Sequence, residues 1–145
     1  MAKQDSETTN LIRLLTRVPL FSELDKKELK LVATAGKKVD FEPGQQILRK
    51  GERGLGFLLV LEGKTKILKN GRTIAIVGPG GFFGEMTVVD DQPRSADVVA
   101  VEQTKCFGIA SWSFFPVLRS HPSVAIGIIK ELVRRLRQVD ADAGE

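Results

Sequence analysis

Cysteine and histidine each occur once in the 145 residues. One thiol cannot close an intrachain disulfide, which fits a reducing, cytoplasmic setting. One histidine beside one cysteine leaves too few ligands for a zinc or iron centre, so no metal is expected. Most catalytic dyads and triads depend on histidine, and their absence argues against an enzyme. No uncharged apolar run reaches the roughly 18 residues of a membrane span. The N-terminal residues, Met1 onwards to Asn10, are polar and mixed in charge, unlike a secretory signal. What remains is 42% hydrophobic and 28% charged, which excludes a wholly disordered chain. The length fits one domain able to bury roughly two thirds of its unfolded surface. The net charge of +4 favours anionic partners in general. The densest basic cluster, Arg134, Arg135 and Arg137, has no interleaved aromatics, so DNA binding by this chain alone is not expected. Phosphate-bearing small molecules stay open.

Of 14 glycines, all but Gly127 and Gly144 lie between Gly36 and Gly108. Glycines at such intervals punctuate short strands. Residues 37–42, 46–48, 56–62, 64–68, 73–77, 94–101 and 104–110 read as strands, and Asn70-Gly71 is a hairpin signal. The middle of the chain is therefore a small β structure of about eight strands, closer to a jelly roll or barrel than to an open sheet.

Both ends read as helix. Leu11, Ile12, Leu14 and Leu15 make a short apolar face before Pro19, and Leu29, Val32 and Ala33 recur at helical spacing ahead of a capping Gly36. Pro122 suits a first helical turn. Beyond it Ala125, Ile129, Leu132, Leu136 and Val139 form a heptad seam, widened by Val124, Ile128 and Val133. That seam packs the helix on its own β domain, or serves a dimer or a lid. After it, a polar tail is expected to fray.

The chemistry concentrates in residues 78–98. A glycine-rich turn leads to a segment, 84–89, that has the makings of a short helix, whose first amides would bind a phosphate without a basic side chain. Glu85 beside those amides is odd for a pure anion site, unless the ligand presents a hydroxyl near its phosphate. Arg94 follows Pro93, and a guanidinium is a planar, permanently charged fork for phosphate oxygens. Ser95 and Ala96 are small enough for a phosphate to approach their backbone. A 3′,5′-cyclic nucleotide, with its ribose 2′-hydroxyl free, satisfies all of these demands.

Phe83-Gly84-Glu85-Met86-Thr87 followed by Pro93-Arg94-Ser95-Ala96 closely resembles the phosphate-binding cassette of the cyclic nucleotide-binding domain family. That family includes catabolite-activator-type regulators, protein kinase A regulatory subunits and cyclic nucleotide-gated channels. Val18-Pro19-Leu20-Phe21, Glu42-Pro43-Gly44, Arg49-Lys50-Gly51-Glu52, Leu59-Val60-Leu61-Glu62-Gly63 and Leu132-Val133-Arg134-Arg135-Leu136 extend the likeness over nearly the whole chain. The resemblance implies a mainly β fold with flanking helices: an eight-stranded antiparallel β-roll, or jelly roll. It would form a single domain over 1–145, with N-terminal helices over about 7–35, the roll over about 37–110, C-terminal helices over about 111–139 and a frayed tail at 140–145.

By the same resemblance Glu85 would bind the ribose 2′-hydroxyl and Arg94 the cyclic phosphate. Gly84, Ser95 and Ala96 would add backbone amides, with Met86 and Thr87 completing the cassette. Thr87 stands where many members carry alanine or serine. Serine at position 95 resembles bacterial cyclic-AMP sensors more than cyclic-GMP members, which puts cyclic AMP ahead of cyclic GMP as the ligand. Phe83, Ile129, Leu132 and Arg135 are the expected base or lid contacts. The implied function is a non-catalytic sensor that needs no cofactor. It would signal by moving its C-terminal helix to an effector protein or domain outside this chain, with a homodimer through that helix as a further partner. The competing reading is an interaction or dimerisation module that keeps the fold without binding a cyclic nucleotide.

Elsewhere simpler roles suffice. Asp90-Asp91 reads as a solvated turn, Cys106 as a small core residue and His121 as a helix-end residue. Trp112, Phe114 and Phe115 read as anchors joining the C-terminal helices to the roll.

Overall fold

A computed structural model of the chain describes residues 2–52, 56–84 and 94–143, with side chains described from residue 8 to residue 141 outside the two internal gaps. Three elements precede the sheets: helix α1 (Ala2–Thr16), a 3-10 turn (Pro19–Phe21) and helix α2 (Lys26–Ala35). The start of α2 is fixed by a reciprocal cap. The Asp25 carboxylate accepts from the Glu28 amide at 2.8 Å, and Glu28 accepts from the Asp25 amide at 3.1 Å. Gly36 ends α2 as expected, with extended backbone leading straight into the first strand.

Among the described residues there are eight strands in two antiparallel sheets. They are β1 (Lys37–Phe41), β2 (Gln46–Leu48), β3 (Gly56–Glu62), β4 (Thr65–Lys69), β5 (Arg72–Val77), β6 (Phe82–Phe83), β7 (Asp97–Ala100) and β8 (Thr104–Ala110). One sheet runs β1-β8-β3-β6 and the other β2-β7-β4-β5. This is the eight-stranded roll with flanking helices that the sequence predicts. The β4–β5 hairpin turns at Asn70 (φ 53°) and Gly71 (φ 77°), both left-handed, as a two-residue turn matched to strand twist requires.

Two apolar clusters divide the interior. Phe57, Leu59, Phe107 and Ile109 of the first sheet pack against Leu15, Phe21, Val32 and Phe114 from the helices. Phe41, Val60, Phe83, Val98 and Cys106 fill the space between the sheets. Cys106 is a core residue as expected, and burial, with Asp40 adding to it, pushes its thiol up to about 12. A thiol so held is not a nucleophile at neutral pH.

Helix α3 (Ser111–Ser120) and helix α4 (Pro122–Ala143) close the chain. His121 caps the end of α3 and its Nδ1 lies 2.6 Å from the Glu28 carboxylate, tying the α3–α4 joint to α2. Gly127 brings α4 close to the 3-10 turn, since a Cβ there would stand 2.7 Å from Leu20 Cδ1.

Several expectations are corrected. Phe114 anchors α3, but Trp112 is 68% exposed and Phe115 37%, because they lie on the outer side of that helix. The buried side of α4 is Val124 and Ile128, with Leu132 packed partly against the same core, whereas Ile129, Leu136 and Val139 of the seam are exposed. Helix α4 continues to Ala143, through most of the stretch expected to fray, and α1 begins at Ala2 rather than near residue 7. Strand β6 and its two residues were not anticipated as a strand, since two phenylalanines carry no alternation to read.

Candidate functional site

A cavity of about 700 Å³ lies inside the β2-β7-β4-β5 sheet, a volume suited to a nucleotide-sized molecule. Its floor is apolar, from Leu48, Ile67 and Val98, and Ile74 and Ile76 of β5 wall one side. Phe83 and Gly84 at the end of β6 face Arg94, Ser95 and Ala96 just before β7. Helix α4 covers the remaining side with Glu131, Arg134, Arg135, Gln138 and Val139.

Arg94 is the buried charge of this cavity, 7% exposed. Burying a guanidinium costs free energy unless hydrogen bonds replace its water. Its Nη2 donates to the Gly56 carbonyl at 2.8 Å and its Nη1 to the Gly84 carbonyl at 3.2 Å. The backbone is equally fixed: the Arg94 amide donates to Glu52 O at 2.8 Å, and its carbonyl accepts from the Gly51 amide at 2.9 Å. Gly84 sits at φ 90°, and a Cβ there would lie 2.5 Å from Arg94 Nη1 and 2.8 Å from Gly56 O. Only glycine fits that conformation and that space. The result is a cationic cavity wall flanked by small residues, an arrangement that accepts an anion.

On the facing helix Glu131 accepts from Arg134 Nη2 at 2.7 Å and from Arg135 Nε at 3.2 Å. Its carboxyl is held below the usual carboxylate range, mainly by the Arg134 hydrogen bond, against a smaller opposing effect of burial. Arg135 also donates from Nη2 to the Phe82 carbonyl, and its guanidinium carbon lies 4.9 Å from the centre of the Phe82 ring. The helix covering the cavity is thereby tied to the strand that leads into Gly84.

A family profile described as the cyclic nucleotide-binding domain matches residues 38–121. The chain belongs to the cyclic nucleotide-binding domain family. A cyclic AMP receptor protein of Thermus thermophilus is 33% identical over 129 residues, covering 86% of this chain and 60% of that protein. The crystal structure of the Thermus thermophilus catabolite activator protein superposes with a TM-score of 0.76 at 34% identity, over 87% of this chain and 62% of that one. A mutant regulatory subunit of a cAMP-independent protein kinase A from Trypanosoma brucei, bound to cAMP in its A site, superposes with a TM-score of 0.81 at 25% identity. It is matched over 99% of this chain and 54% of its own length. The chain thus spans about 60% of the bacterial receptor that it matches.

Within this cyclic nucleotide-binding domain, the structure brings Phe83, Gly84, Arg94, Ser95, Ala96 and Arg135 together around one cavity. Glu85, Met86 and Thr87 lie outside the described residues. Ile129 and Leu132 do not line the cavity: Ile129 is 58% exposed, and Leu132 packs toward the helix-side core. The register of α4 is the reason. Glu131, Arg134, Arg135 and Gln138 recur at helical spacing and present one polar stripe to the cavity. That spacing is present in the sequence, where a polar stripe beside an apolar seam reads as a solvated surface. Among the described residues no group of acidic, histidine or cysteine side chains is arranged to hold a metal, and no helix is long and apolar enough to cross a membrane.

Proposed function

We propose that this domain is a non-catalytic cytoplasmic sensor that binds cyclic AMP in preference to cyclic GMP and passes the event on through helix α4. The observation that carries the reading is Arg94, a buried guanidinium in the wall of a cavity of nucleotide size, beside a glycine that no other residue can replace. In this reading Arg94 holds the cyclic phosphate, helped by the backbone of Gly84, Ser95 and Ala96. Glu85 accepts from the ribose 2′-hydroxyl, with Met86 and Thr87 beside it. The base extends toward α4, where Arg135, Arg134 and Gln138 offer donors and Val139 an apolar contact. The bacterial relative named as a cyclic AMP receptor, and Ser95 in the cassette, favour cyclic AMP.

Among the described lining residues Glu131 is the one carboxylate, and its pairing with Arg134 makes it a poor general base. The reading is therefore of ligand binding without hydrolysis, as a regulatory domain of this family would act. In this reading an effector protein or domain takes up the output: ligand contacts that differ between two positions of α4 would shift its population between them. DNA binding by this chain alone is not part of the reading.

A second reading, an interaction or dimerisation module, draws on the exposed Ile126, Ile129, Val133 and Leu136 of α4. The Trypanosoma brucei relative belongs to a kinase named as cAMP-independent, so the fold alone does not select between the two.

Calorimetric titration with cyclic AMP and cyclic GMP is the test. Removing a charge-assisted contact worth about 1.5–3 kcal/mol weakens binding by roughly 10- to 150-fold, the expectation for Arg94→Ala. Arg94→Lys, which keeps the charge but loses the fork, should fall between the two. Unchanged affinity in Arg94→Ala would remove the pocket assignment.

A further inference from the structure

We propose that Asp97 is a positioning residue for the phosphate-binding arm, acting through the segment after β2 rather than by touching the ligand. The inference rests on the reading that Arg94, Ser95 and Ala96 form that arm. Strand β7 is held along one edge by β4, from Thr65↔Ala100 to Leu68↔Asp97. Its other edge pairs with β2 at Gln46↔Val99 and Leu48↔Val98, with the register slipping between these two pairs. Farther on, pairing to the same neighbouring segment occurs at Arg94, through Gly51 and Glu52.

Between those two contacts Ser95 and Ala96 form a bend that lines the cavity. A ladder running straight through would turn this backbone toward β2 instead of toward a ligand. The gap needs a different connection, and Asp97 supplies it. One of its carboxylate oxygens accepts from the Lys50 amide at 2.8 Å and from Gln46 Nε2 at 3.1 Å. The bend is therefore fixed at both ends, by the backbone of Arg94 before it and by the side chain of Asp97 after it. A carboxylate placed near an anion site is unfavourable on charge alone. Its presence makes sense through the two donors that it joins, a role that a neutral acceptor also fills.

The experiment is calorimetric titration of cyclic AMP, and of its Sp and Rp phosphorothioates, into the wild type, Asp97→Ala, Asp97→Asn and Gln46→Ala, with thermal melts of each. Loss of the bridge is expected to weaken cyclic AMP binding by about tenfold in Asp97→Ala, while Asp97→Asn, which keeps the acceptor oxygen, stays within about twofold of the wild type. Asp97→Ala should also narrow the preference between the two phosphorothioates, because a loosened arm places the phosphate less strictly. A merely structural role would lower the melting temperature and leave that preference intact. Wild-type affinity in Asp97→Ala, or an equal loss in Asp97→Asn, overturns the inference while leaving the binding reading in place. Should Asp97→Ala fail to fold, Gln46→Ala decides, with a smaller loss in the same direction expected and no change overturning it. A wild type that binds no cyclic nucleotide overturns the functional reading itself, and this inference with it.

Discussion

Arg94 and Gly84 constrain one another. The arginine is satisfied by the Gly84 and Gly56 carbonyls, and the space that it occupies is the space a side chain at position 84 would need. Gly84→Ala would force a left-handed residue at φ 90° and push a methyl group against both the guanidinium and Gly56 O. The expected cost is about 1–2 kcal/mol of stability, together with a displaced Arg94 and weaker nucleotide binding. Urea denaturation and titration of the same variant measure the two effects. Gly84, Arg94, Ser95 and Ala96 were legible in the sequence because they belong to one short motif whose residue types are dictated by chemistry. Asp97 adjoins that motif and was not legible as part of it, since its bridging partners, Gln46 and Lys50, belong to β2 and the segment after it. Trp112 departs from its expected anchoring role for a different reason: a large apolar side chain favours burial on average, but its direction from the helix decides its exposure.

At the scale of the element, α4 has two working faces. Val124, Ile128 and Leu132 fasten its first half to the helix-side core, and Glu131, Arg134, Arg135 and Gln138 turn its second half toward the cavity. Apolar residues occur on more than one side of this helix, so hydrophobic period alone left the packed face ambiguous. The polar stripe that faces inward looks, in sequence, like an ordinary solvated surface. Among the described residues Arg135 ties the second half to the roll, through the Phe82 carbonyl and ring. Arg135→Ala removes a hydrogen bond and a cation–π contact together worth about 1–2 kcal/mol, so amides after position 135 should exchange about 5- to 30-fold faster. Hydrogen–deuterium exchange of the ligand-free protein checks this. Unaltered exchange would mean that Val124 and Ile128 hold the whole helix.

For the molecule as a whole, the roll was readable because its strands are separated by glycines and turns, whereas the helix-to-roll packing depends on distant partners. The outer side of α4 leaves Ile126 51%, Ile129 58% and Leu136 61% exposed, more apolar surface than one helix needs in water. Self-association along it is expected, with a mass by sedimentation that rises with protein concentration. Ile129→Asp combined with Leu136→Asp should return the monomer, since neither side chain lines the cavity. A monomer at all concentrations would assign this side of the helix to another partner or to solvent. The tie between Arg135 and Phe82 has a consequence in time as well as in space. In the proposed reading a nucleotide would sit between the β5 wall and α4, so loosening that tie is expected to speed its release. Changes at Arg135 or Phe82 would then alter how long such a nucleotide stays bound, and with it the duration of the proposed response.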